Sequence, residues 1–234
     1  MKIDASRAAG AYAAIMTAAV GWLGLAAVSP TQPRKIDVLD VERINVRERD
    51  GTLRMIISGR DRIGGLIIGD REYPHPNRTE AGMIFFNDEG TENGGLVFDG
   101  GLKGGKPTNS GHLSFDRWRQ DQTLFFQSIE DGARRRAGVF VQDRPDQPIN
   151  MSRMAEINAM PEGPKRTAMA LAAGFDGSRQ RAFLGRDYDN ASKLVLRDGR
   201  GRPRLRLVVE DDGNAAIQFL DDRGVVTRTM TATD

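Results

Sequence analysis

The chain has 234 residues with a mean hydropathy of −0.46, 28 % charged residues, 27 glycines and only 6 % aromatics. That balance excludes a bundle of membrane helices and suits short strands joined by tight turns. Setting aside Lys2, Arg7 and Asp4 leaves 32 basic against 31 acidic residues and no cysteine, so a global field for nucleic acid, disulfides, thiolate chemistry and Cys-ligated zinc are all excluded.

From Ala8 to Val28 the sequence carries no charge over 21 residues. As a helix this is about 31 Å, close to the roughly 30 Å hydrocarbon core of a bilayer. Nine alanines and three glycines keep it only weakly apolar. A cleaved signal peptide is the alternative, with Lys2 and Arg7 as its basic start. The stretch is longer than the usual hydrophobic region of about 7–15 residues, and a cut after Ala27-Val28-Ser29 would leave Pro30 next. A buried soluble helix is the third possibility. The expectation is a single-pass anchor over 1–29, a linker over 30–36 (Pro30, Pro33, Arg34, Lys35) and a β-rich domain over 37–234. Arg34, Lys35, Arg43 and Arg47 favour the C-terminal side inside by charge count. A short basic N-terminus before one span and a long folded domain is nevertheless the pattern of export, so the domain is expected outside the cytoplasm, in a periplasm.

Strand signals follow in order. Ile44–Arg47 alternates, Asp50-Gly51 reads as a hairpin turn, and Leu53–Ile57 returns. Leu66–Ile68 ends at a Gly69-Asp70 turn before the Pro74-His75-Pro76 loop. Met83–Phe86 and Leu96–Phe98 flank the acidic loop from Asn87 to Gly95, and the Gly-rich stretch 100–111 reads as a mobile loop. His112–Phe115, Thr123–Phe126 and Val139–Val141 are three more strands. Over 151–173 the period becomes helical at Met151, Met154, Ile157, Met169 and Leu171, with a break at 161–164. Five strands then follow, Arg181–Leu184, Lys193–Leu196, Pro203–Val209, Ala216–Leu220 and Val225–Thr227, the last four separated by Asp-Gly or Arg-Gly turns. Connections this short make neighbours antiparallel. A loose echo, an aspartate then a glycine between apolar strands, recurs at Asp88-Gly90, Asp198-Gly201 and Asp221-Gly224. The predicted fold is mainly β, built of antiparallel meanders or hairpins, either propeller-like or a sandwich, with an N-terminal transmembrane helix and a short helical insertion.

Three stretches, ERINVRERDGTLRMIISG (Glu42 to Gly59), AGMIFFNDEGTENGGLVF (Ala81 to Phe98) and GHLSFDRWRQDQ (Gly111 to Gln122), together with the ending RLRLVVEDDGNAAIQFLDDRGVV, resemble an uncharacterised family of bacterial exported or membrane-anchored proteins. The resemblance covers most of the chain after the anchor. It departs at Arg117-Trp118-Arg119, where the family carries acidic and aromatic residues. It implies a compartment and a kinship but no reaction.

Few residues invite chemistry. His75 sits between prolines in a loop. His112, with Ser110, Ser114 and Asp116 nearby, has the residue types of a Ser-His-Asp set, but no nucleophile elbow accompanies it, and a structural histidine is the plainer reading. Asp88 and Glu92 in the acidic loop are weak candidates for a hard cation, and a turn built from Asn, Asp and Gly explains that loop as well. Asp187 and Asp189 repeat the argument more weakly. Asp88, Glu92, Asp116 and Asp121 could supply a carboxyl pair for glycoside chemistry. Arg134, Arg135 and Arg136 follow a turn. Arg202, Arg204 and Arg206, alternating with Leu205 and Leu207, read as the solvated face of an edge strand. No cofactor, catalytic residue or nucleic-acid partner is expected. The predicted function is a non-catalytic, membrane-anchored binding or assembly domain. The alternative is an envelope hydrolase or ion-dependent carbohydrate-binding enzyme that uses the acidic loop.

Overall fold

The computed structural model describes residues 5–27, 35–69, 71–75, 78–175 and 177–232, and the chain divides into two units after Asp40. The first unit contains α1 (Ala5–Ala27), 23 residues and about 34 Å long. Among the described residues no helix is long and apolar enough to cross a membrane. The expected helix is present as far as Ala27. Val28, Pro30, Pro33 and Arg34, and so most of the expected linker, lie outside the described residues, as do Asp70 and Pro76 of two predicted turns.

The second unit is mainly β. Its strands are β1 (Arg43–Arg47), β2 (Leu53–Ser58), β3 (Leu66–Ile68), β4 (Arg71–Tyr73), β5 (Ala81–Phe86), β6 (Glu92–Lys103), β7 (Lys106–Asp116), β8 (Gln122–Asp131), β9 (Arg134–Asp143), β10 (Arg179–Arg186), β11 (Ser192–Arg197), β12 (Pro203–Val209), β13 (Ala215–Leu220) and β14 (Val226–Met230). Strands β3 and β4 form a separate hairpin, and the other twelve make one antiparallel sheet in sequence order. The expected propeller-like and sandwich forms are therefore corrected to a single long meander. Each short turn returns the chain to its immediate neighbour, and no long connection starts a second large layer. Among the described residues, helix in this unit is confined to α2 (Met154–Ala159), α3 (Pro164–Ala172) and short 3-10 turns.

Seven turns close in the same way. The N–H of the first residue donates to the carbonyl of the fifth, and the N–H of the fourth to the carbonyl of the first, at 48–52, 87–91, 117–121, 187–191, 198–202, 210–214 and 221–225. In six of them the fourth residue is a glycine or Asn190 with φ between +67° and +94°, the left-handed position of a three-residue hairpin loop. The sequence echo is this turn repeated. At 117–121 the fourth residue is Gln120, and the positive φ moves to Arg119 at +48°.

Two expectations change here. Residues 100–111 are not a mobile loop: they are the ends of β6 and β7, paired from Gly100↔Asn109 to Lys103↔Lys106. Gly104 and Gly105, at φ +57° and +77°, provide the tight turn, and ladder hydrogen bonds need no side chain. The second change concerns β12, which lies between β11 and β13 and is no edge strand. On it Arg206 is half-buried beside buried Val208, while Leu207 is exposed, the reverse of the expected polarity.

Apolar side chains occupy both faces of the sheet. One face is covered in part by two insertions, 59–80 and 144–178. Ile63 and Ile67 of the first pack on Leu53, Ile56, Ile84 and Phe86. Phe125, Phe140, Phe183 and Val195 form a second cluster, with the first two rings stacked 4.6 Å apart. On the other face Ile44, Ile57, Met83, Leu96, Leu113, Phe126, Val139, Leu184, Leu194, Leu207, Ile217 and Met230 are successive cross-strand partners, one from every strand of the sheet. At about 4.8 Å per strand this ladder is roughly 50 Å long. A second row, with Phe115, Leu124, Val141, Ala182, Leu196, Leu205 and Phe219, runs beside it.

Candidate functional site

The two insertions leave a cleft between them over β6, β7 and the start of β8. The second insertion is fastened by Gln120, whose buried side chain donates from Nε2 to the carbonyls of Gln147 (3.1 Å) and Gly174 (2.9 Å). The Ile149 N–H adds a bond to the Arg119 carbonyl. The cleft encloses about 280 Å³. Leu66, Ile68, Met151, Met154 and Phe175 form apolar walls, and Arg78, Glu92, Asp116, Asp121 and Gln122 form a polar side. Along the sheet it adjoins a second hollow that shares Arg78 and Glu92 and reaches His112 and Ser114.

The electrostatics are unusual for a scaffold. Glu92 pairs through Oε1 with Arg78, and the two side chains are only 9 % and 11 % exposed. Burial raises the Glu92 carboxyl above its ordinary range, against the pull of Arg78. Burial also pushes Asp116 up to about 7, helped by the charges of Glu92 and Asp121 and opposed by Arg144 and Arg78. His112 is lowered by burial, with Asp121 and Glu80 acting the other way. Three buried atoms here have no hydrogen-bond partner: Glu92 Oε2, Asp116 Oδ1 and His112 Nε2. Buried polar atoms in native folds rarely stay single.

His112, Ser114 and Asp116 share the inner face, as strand alternation requires, yet they form no nucleophile–base pair. Ser114 Oγ accepts from the Gly95 N–H at 3.2 Å, while the His112 ring lies 5.2 Å from that of Phe125. The acidic loop does not converge. Asp88 is exposed and pairs with Arg54 at 2.5 Å. Glu89 accepts from Trp118 and Arg119 of the neighbouring turn, while Arg117 pairs with Asp146. Asn87 Oδ1 takes the N–H groups of Glu89 and Thr91. Asp187 and Asp189 pair with Lys193, and Arg202 with Asp198. Arg134 stands over the Tyr188 ring, Arg135 pairs with Glu130, and Arg136 lies over Phe140 and Phe183. Among the described residues no three ligating side chains come together to hold a metal.

No family model, curated protein or solved structure matches this chain.

Sequence reasoning reached Glu92, Asp116 and Asp121 but not Arg78 or Arg144, and it read Met151 and Met154 as helical without placing them at the cleft. Gln120 did leave a signal. It occupies the position that is glycine or asparagine in the other six turns.

Proposed function

We propose that the chain is a non-catalytic assembly domain of a bacterial envelope, tethered through residues 8–28, whose outer sheet face packs against other copies of itself. The observation that carries this is the apolar ladder. Phe85, Phe98, Phe115, Phe126 and Phe219 are 38–58 % exposed, so these five rings alone present roughly 450 Å² at about 200 Å² each. With the aliphatic residues between them the face reaches the roughly 800 Å² that each partner of a stable complex buries, and it exceeds what monomers ordinarily leave in water. Near its C-terminal end the face hollows into a trough of about 750 Å³ lined by Leu184, Leu194, Leu207, Ile217 and Met230. The two apolar rows carry almost no charge that would select a charged partner, and a continuous apolar face is complementary to a second copy by face-to-face sheet packing. Assembly also answers the weakness of the tether, because several marginal helices on one particle hold a membrane better than one. The resemblance to exported bacterial proteins supports the compartment.

The test is the mass of the full chain in mild detergent. Assembly predicts an oligomer that Leu194→Asp and Phe126→Asp convert to a folded monomer. Because the chain has no cysteine, a single Leu207→Cys should give an intermolecular disulfide. A monomer at all concentrations overturns the reading, and cross-linking of Leu207→Cys only to cysteines placed in α1 would make that helix the cover instead. Membrane fractionation and protease protection of intact cells test the tether and its direction.

A second reading, an envelope hydrolase, is favoured by one observation. Asp116, near neutrality beside Glu92, has the proton affinity of a general acid. Turnover of glycosidic substrates abolished in both Asp116→Asn and Glu92→Gln would establish it.

A further inference from the structure

We propose that the cleft between the two insertions binds an organic cation, a primary ammonium or guanidinium carried on a short apolar stem. The inference goes beyond self-assembly and rests on a different face of the sheet. On the polar side of the cleft two carboxylates keep an oxygen without a donor. Glu92 is nine-tenths buried, yet its Oε2 meets no hydrogen, and Asp116 Oδ1 is equally alone. The guanidinium groups that could have served them are engaged. Both terminal nitrogens of Arg78 are used, one by the Gly65 carbonyl and one by Glu92 Oε1. Arg144 donates to the Gln122 carbonyl and pairs with Asp121, and Arg119 pairs with Glu89 outside the cleft. An anionic ligand would therefore meet two carboxylates whose neighbouring guanidinium groups are already taken, whereas an N–H-rich head group meets carboxylates with acceptor capacity left over.

Charge decides between a cation and a neutral polyol. The groups facing Asp116 are Arg78 and His75 from the first insertion, Glu92 from β6, Arg119 and Asp121 from the turn before β8, and Arg144 from the second insertion. Glu92 and Asp121 have their arginines, and Asp116 has none. A bound cation supplies the missing partner and pulls the Asp116 carboxyl down from about 7. The opposite wall, Leu66, Ile68, Met151, Met154 and Phe175, offers no polar atom to ring hydroxyls but accepts a methylene stem, and its methionines adapt to shape. A metal ion is a poor occupant, since no three ligating side chains converge among the described residues.

The experiment is calorimetric titration of the full chain in detergent with n-butylammonium and n-butylguanidinium, and with xylitol and butyrate as neutral and anionic controls. Saturable binding of the two cations alone is expected, tightening as pH rises through about 7 because the ionised Asp116 is the form that binds. Asp116→Asn and Glu92→Gln should each weaken it about tenfold or more. Since Glu92→Gln disturbs a buried pair, Met154→Trp provides an independent variant that fills the cleft without altering charge and should also abolish binding. Unchanged affinity in Asp116→Asn and Met154→Trp, binding of xylitol or butyrate in place of the cations, or no heat from either cation overturns the proposal. The oligomer mass is measured in parallel and should not move, so failure here is separable from failure of assembly.

Discussion

Gly94 on β6 lies against the carbonyl oxygen of Ser114 on β7 so closely that a Cβ built on it would stand 2.3 Å from that oxygen. Its φ of +145° is also one that side chains rarely adopt. The contact sits where Ser114 holds the Gly95 N–H and two residues from Glu92, so the strand geometry under the cleft depends on it.

Gly94→Ala should therefore cost about 3 kcal/mol or more, by backbone displacement as well as strain. Gly90→Ala is the control. Its φ is +69° and its nearest neighbour, the Gly69 carbonyl, is 3.2 Å from the added Cβ, so about 1–2 kcal/mol is expected. Urea melts of the two variants should separate them in that order.

Asp116 gives a pH dependence with a defined sign. In the unfolded chain it titrates near 3.8 and in the native cleft at about 7. The native state favours the protonated form, so stability is lost as pH rises between these two values and levels off above. The loss is of the order of a few kcal/mol. Between about pH 5 and pH 8 the denaturation midpoint of the native chain should fall further than that of Asp116→Asn, in which this group no longer titrates. Parallel curves for the two proteins would refute the assignment.

Gln120→Ala removes two hydrogen bonds from carbonyls of the second insertion, one of them buried. A loss of about 2–3 kcal/mol is expected. It should appear as faster amide exchange in 147–175 than in β8 or β9, because the insertion loosens while the sheet persists.

Asp198 is held down at about 2, first by the Arg202 side chain and then by the N–H groups of Arg202 and Arg200. In Arg202→Met its carboxyl, followed by carbon-13 NMR, should titrate higher yet stay below its usual range, since both backbone donors remain.

Strands and turns were legible because alternation and Asp-Gly pairs report local geometry. Pro203–Val209 was read to the residue. The direction of each face was not. Alternation of Arg204, Arg206 and Leu205, Leu207 normally means leucine inside, and here the leucines point outward because the apolar row serves the whole sheet. The length of β6 and β7 was hidden by glycines that pair through backbone alone. His112, Ser114 and Asp116 share one side of a strand, as their spacing of two dictates, but their environment comes from residues 78, 144 and 151–175, brought in by long connections whose packing no periodicity encodes.

The sequence order of the strands has a kinetic consequence. Apart from the two insertions, each strand of the sheet needs only the one before it, so the entropy of closing long loops is small and contact order is low for a β protein. Growth can proceed hairpin by hairpin, as in repeat proteins, with unwinding favoured from the ends. β14, all five of whose residues are exposed, is the natural place for fraying to begin, and amide protection should rise from there toward the Phe125–Phe140–Phe183 row.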